Sequence, residues 1–109
     1  MPTPTTPAAS TVSKLASRWA ARHPASAERI ERAVALVANV EQGDRSHRVF
    51  FVEGSLGHRY MVRVDWRAHE AACTCPDAAK GNRCKHRWAA ALFVAARKAD
   101  AEAAQADLF

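Results

Sequence analysis

The sequence predicts an α+β domain. Two N-terminal helices precede a β-hairpin or three-stranded antiparallel sheet, and a cysteine-rich knuckle leads into a C-terminal helix. Three observations predict this order. Apolar residues recur at helical spacing through residues 11–41, and the period then shortens to two. All three cysteines of the chain, with one of its five histidines, fall within residues 73–86, ahead of a last long helical pattern.

The first helix spans 11–22, TVSKLASRWAAR, and places Val12, Leu15, Ala16, Trp19 and Ala20 on one face. His23–Pro24 interrupts it. Pro24 with Ser26 suits a new helix start, and residues 25–41 carry a second stripe of Ile30, Ala33, Val34, Val37 and Ala38, stopping near Gly43–Asp44. Arg48–Glu53 and Arg59–Asp65 are rich in β-branched and aromatic residues, so they read as strands around a Gly54–Gly57 hairpin loop. On the second strand Tyr60, Val62 and Val64 share one face, and Arg59, Met61 and Arg63 the other. A third strand is predicted from about Glu70 to Cys75. The final helix runs from about Lys85 to about Gln105, with Trp88, Ala91, Leu92, Ala95 and Ala99 as its buried stripe. Trp19, Trp66 and Trp88 read as core or half-buried packing groups.

A chain of 109 residues supports one domain. Its apolar class is 49%, but 25 of those residues are alanine, which bury little area, so the core is expected to be thin. Small domains of this kind use disulfides or a metal as a staple. Net charge is +5, distributed as +2 over residues 1–42, +6 over 43–98 and −3 over 99–109. A basic body suits a polyanion such as DNA, and it equally describes an ordinary solvated surface. No apolar run reaches the length of a membrane span. The opening MPTPTTPAAS has neither the basic nor the apolar region of an export signal, so a cytoplasmic setting is expected. Thiols stay reduced there.

The stretch CTCPDAAKGNRCKH spells C-x-C-x8-C-x-H. Cys73 and Cys75 are too close along the chain to bond each other comfortably, and a disulfide would leave one cysteine over. Three buried free thiols would not account for His86 or for the matched spacing of the two pairs. Metal binding accounts for both. Residues i and i+2 of an extended strand point to one side, so Cys73 and Cys75 can grip one ion. The connector, with Pro76 and Gly81, turns the chain back, and Cys84 and His86 supply the second pair at a helix start, where thiolate is favoured. Three sulfurs and one nitrogen suit tetrahedral Zn²⁺ in a closed, structural shell, with an iron–sulfur cluster as the rival. Three thiolates, a neutral imidazole and Zn²⁺ sum to −1, and Arg83, Lys85 and Arg87 lie beside that charge in sequence.

These residues resemble the SWIM zinc finger, whose pattern is C-x-C-x(n)-C-x-H. The likeness reaches upstream to Gly57–Val64 and downstream to Trp88-Ala89-Ala90, covering about residues 45–95. It implies Cys73, Cys75, Cys84 and His86 as ligands in a β-hairpin-plus-helix fold. It also implies DNA-binding or protein–protein roles; such modules usually sit inside larger proteins such as transposases and chromatin remodellers. The chain then divides into a disordered arm (1–10), a helical segment (11–42), the finger domain (43–98) and an acidic tail (99–109).

Gln105-Ala106-Asp107-Leu108-Phe109 is similar to the Q-x-x-L-F pentapeptide by which bacterial replication and repair proteins bind the sliding clamp of DNA polymerase. That resemblance implies Gln105 at the rim of the clamp's pocket and Leu108 and Phe109 on its apolar floor, with Ala106 in place of the commoner Leu. Packing of Leu108 and Phe109 on the protein's own surface is the alternative. Arg59, Arg63, Lys80, Arg83, Lys85 and Arg87, with Arg67, Arg97 and Lys98, are the candidate phosphate contacts. No base-reading side chains stand out. His23, His47, His58 and His69 read as surface or turn histidines. Asp65 and Glu70 flank a turn, and no nucleophile–base pair or Gly-rich phosphate loop accompanies them. A non-enzymatic module without a small-molecule substrate is therefore expected.

Overall fold

A computed structural model of the chain describes residues 6–43, 48–54, 56–68 and 70–106, with 104–106 as backbone only. Helix α1 (Ala9–Arg22) and helix α2 (Ala27–Leu36) are separated by a 3₁₀ turn at Pro24–Ser26. Strands β1 (Val40–Gln42), β2 (Val49–Glu53), β3 (Arg59–Asp65) and β4 (Glu70–Cys73) form one antiparallel sheet in sequence order. A four-residue helix α3 (Pro76–Ala79) precedes the long helix α4 (Lys85–Ala106). The architecture is α+β, as the sequence predicts.

Period-two burial sets the sheet's two faces. Phe50 and Val52 of β2 and Val62 of β3 are fully buried, in the register Phe50↔Val62, with Val62 opposite Cys73 of β4. Helix α4 lies against this face, and α1 and α2 pack on α4. Val12 and Ala16, Ile30 and Ala33, and Leu92, Phe93 and Ala96 join the strand residues in one core. The other face carries half-buried Phe51 and Met61 and exposed Arg59 and Arg63.

Two local features differ from the sequence expectation. The second helix ends at Leu36 rather than near Gly43, gives one 3₁₀ turn at Val37–Asn39, and becomes β1. Val40 is β-branched and finds a partner in Val52, and ladder bonds to β2 replace the helical bonds that residues 40–42 would otherwise make. The sheet therefore has four strands, and Ala38, expected on the buried stripe, is exposed. In α4 the buried stripe is Ala89, Ala90, Leu92, Phe93 and Ala96, while Ala91, Ala95, Ala99 and Trp88 are only half-buried. The two large side chains at 92 and 93 set which face turns inward.

Helix α4 is anchored to α1 at two points. Near its start Trp88 packs against Trp19 of α1, ring centroids 6.0 Å apart. Further along, Asp100 accepts the Ala8 N–H at 2.8 Å and the Thr11 hydroxyl at 2.5 Å, capping α1 from outside the helix. Trp66 is 40% exposed, more than expected of a packing group, with its ring edge toward Phe50. Among the described residues no helix is long and apolar enough to cross a membrane.

Candidate metal centre

The donor set is assembled from the sheet on one side and α4 on the other. Cys73 is the last residue of β4. Thr74 then extends the β3–β4 pairing by one residue: its N–H donates to the Met61 carbonyl at 3.2 Å, and its hydroxyl accepts the Met61 N–H at 3.1 Å. The first ligand pair is thereby tied to β3. Cys75 lies beyond the strand, contrary to the expectation of a strand through 75. It caps α3, accepting the Ala78 N–H on Sγ at 3.4 Å.

The eight residues between Cys75 and Cys84 fold as α3 and a turn. Gly81 takes φ +87°, a left-handed conformation that costs side-chain-bearing residues, and this reverses the chain. Cys84 stands immediately before α4, and its Sγ accepts the Arg87 N–H at 3.4 Å. His86 follows in the first turn. Both second-pair ligands thus sit at a helix N-terminus, where partial positive charge favours thiolate.

The four ligand atoms lie within 4.8 Å of one another. Cys75, Cys84 and His86 are almost fully buried, at 2%, 1% and 4% exposure, and Cys73 is partly buried. Both His86 ring nitrogens are buried without a hydrogen-bond partner. A buried imidazole with two orphaned nitrogens is costly unless something else takes a lone pair. A metal ion does so.

Proton affinities within the cluster follow from the same closeness. The Cys84 thiol is held down to about 4, first by the hydrogen bond it shares with Cys73, with help from the Arg87 N–H against the cost of burial. Cys73 is pushed up by that same bond and then by burial. Cys75 is pushed up chiefly by burial. One sulfur thus carries charge readily, and a soft divalent cation supplies the attraction that draws the other protons off. Three thiolates and an imidazole in a buried shell fit Zn²⁺ with four protein ligands.

Supporting residues come from β3, the hairpin loop, the connector and α2. The Tyr60 ring lies 4.6 Å, centroid to centroid, from the His86 ring. Gly54 passes so near that an added Cβ would sit 2.9 Å from Tyr60 Cε2 and 3.2 Å from His86 Nε2. Asp77, in sequence no more than the end of Cys-Pro-Asp, binds Arg29 of α2 and is held down to about 2, chiefly by that bond and then by Asn82.

The candidate phosphate contacts are carried by three elements: β3, the connector and the start of α4. Arg59 pairs with Glu41 at 2.6 Å and stacks 4.4 Å from the Phe51 ring centroid, on the outer face of the sheet. Arg63 is on that face, opposite Val49 and Ala72. Lys80 and Arg83 are exposed on the connector, and Lys85 and Arg87 are half-buried in the first turn of α4. Of the tail, Gln105 falls on the backbone of α4, and Leu108 and Phe109 lie outside the described residues. His47 and His69 also lie outside them; His23 and His58 are exposed.

Residues 51–95, from β2 to the middle of α4, match the family model of the SWIM zinc finger. The match includes all four ligands, and zinc is the cofactor that the donor set and the match support together. No curated protein and no solved structure matches the chain.

Proposed function

We propose that the protein is a non-enzymatic, zinc-centred adaptor that acts at DNA in a reducing cytoplasm. The observation that carries this reading is a Cys₃His set, three of its four ligands buried, with Lys80, Arg83, Lys85 and Arg87 beside the ligands in the chain. Four protein ligands leave a zinc ion no position for water or substrate, so its contribution is structural. Four phosphate contacts would give a slope of about −3.5 in log affinity against log salt. Titration of zinc-loaded protein into random-sequence duplex tests this. Substituting Lys80 and Arg83 by Gln should flatten the slope by about 2. Absence of salt-dependent binding would remove DNA from the reading.

At a finer level, Gln105, Leu108 and Phe109 are proposed to dock on the bacterial sliding clamp. The support for this is the run of α4 past the body: beyond Asp100 the side chains of Ala101, Glu102 and Ala103 are exposed. Surface plasmon resonance over immobilised clamp, comparing the full chain with a version lacking Leu108 and Phe109, tests it. Binding lost with the two residues supports docking, and equal responses refute it.

One observation favours a pure protein–protein module as the second reading. Leu56, 85% exposed at the hairpin tip, overhangs a cleft of about 380 Å³ between the hairpin, the knuckle and α2. An exposed apolar tip beside a concave wall suits a protein partner.

A further inference from the structure

The connector that carries the zinc ligands is closed by a residue far from it in sequence. Asp77, two residues after Cys75, accepts from Arg29 Nε at 2.9 Å and Nη2 at 3.2 Å, a two-point grip. The same carboxylate accepts from Asn82 Nδ2 at 2.8 Å, and Asn82 is two residues before Cys84. The Lys80 N–H also returns to the Asp77 carbonyl at 3.2 Å. Asp77 therefore joins the two arms of the connector, and Arg29 fastens the joint to α2. That helix is itself immobilised by Ile30 and Ala33, both fully buried in the core.

We propose that Arg29 is a positioning residue of the metal centre, holding the Cys75–Cys84 connector closed so that zinc is retained. Zinc leaves when the arms bearing Cys75 and Cys84 separate, and that motion must break the Asp77 bridge or pull it off Arg29. The segment that matches the SWIM model begins at residue 51, so this support comes from a helix outside the finger. Helix α2 is on this account part of the zinc site's surroundings. This role for Arg29 holds whichever partner the protein binds.

Groups bonded directly to a metal ligand change affinity by about 10- to 100-fold when removed, and Arg29 acts one step further out, through Asp77. The Arg29 and Asp77 side chains are 34% and 38% exposed, so water weakens their attraction. The expected effect is therefore at or below the low end, about 3- to 10-fold. A neighbouring pair on the same helix supplies the comparison: Arg32 bonds Glu28 at 2.7 Å, within α2 itself.

The test follows zinc release from the full chain into excess chromophoric chelator at 25 °C. Arg29→Gln should release zinc about 3- to 10-fold faster than wild type. Arg29→Lys should fall between, because an ammonium restores charge but not the two-point grip. Arg32→Gln should release at the wild-type rate. Cobalt-loaded forms should keep the thiolate-to-metal absorption of the wild type, since the ligands are unchanged. Should Arg29→Gln lose helical circular dichroism when loaded, the Arg29→Lys comparison decides. Release at the wild-type rate from both Arg29 variants would overturn the proposal, as would equal acceleration by Arg32→Gln.

Discussion

Gly54→Ala is a one-carbon change that should weaken the zinc site from the hairpin loop. The added Cβ would stand 2.9 Å from Tyr60 Cε2 and 3.2 Å from His86 Nε2. Reaching ordinary contact at 3.4 Å requires Tyr60 to retreat by roughly 0.5 Å and His86 by roughly 0.2 Å. His86 is the one with no easy direction to go. The two rings are packed on each other at 4.6 Å, and His86 is buried in the first turn of α4. Metal–ligand distances tolerate only about 0.2 Å. Overpacking of this kind costs about 1–3 kcal/mol, offset by about 0.4–1 kcal/mol from a stiffer unfolded chain. The net loss is centred on about 1.3 kcal/mol, and to the extent that it falls on the bound state it is roughly a tenfold weaker zinc complex. Competition against a chelator of known affinity measures it directly, with urea denaturation of the loaded protein as the second readout. Wild-type zinc affinity together with unchanged stability would refute the packing argument.

Removing zinc should loosen residues 60–95; at free zinc 100-fold above Kd, loading contributes about 2.7 kcal/mol. Identical circular dichroism and melting with and without metal would contradict this. Leu92→Ala, at a position with 0% exposure, should cost about 2–5 kcal/mol, a large share of a small domain's stability. A loss under 1 kcal/mol by urea denaturation would mean that α4 is not the core's centre. Asp100, bonded by Thr11 and the Ala8 N–H, has its carboxyl held below the usual range, so ionised Asp100 favours the folded state. Its contribution is present above about pH 4 and is lost as pH falls through its lowered folded value. Asp100→Asn should therefore flatten the acid limb of a stability–pH curve; an unchanged limb would exclude the cap.

The zinc ligands were legible because four soft donors at matched spacing serve few purposes besides holding a metal. The β2–β3 hairpin was legible because branched and aromatic residues alternate around Gly54–Gly57. Strand β1 was not, because three residues carry no period of their own. Val40–Gln42 falls at the end of a helical pattern in sequence and becomes a strand only where Val52 lies opposite. The phase of α4 was ambiguous for a different reason: alanines occupy almost every face of it, and a stripe through Ala91 and Ala95 looks as good as one through Ala89 and Ala96. Arg29 gave no signal, since a lone arginine on an amphipathic helix describes most solvated surfaces. Asp77, 48 residues away, gives it meaning. Gly54 looked like turn punctuation, and its absent side chain matters because His86 lies beside it.

The cap on α1 bears on how the chain reaches its final form. Ala8 and Asp100 are 92 positions apart, so that bond cannot form until nearly the whole described chain has been gathered. The metal ligands all fall between residues 73 and 86, and loops of about ten residues close in roughly 10–100 ns. Ion capture is thus a local event available to a largely unfolded chain, whereas seating of α1 is among the most distant encounters in the molecule. A cell short of zinc would leave this chain without its early, short-range foothold, with the long-range encounters left to find one another unaided.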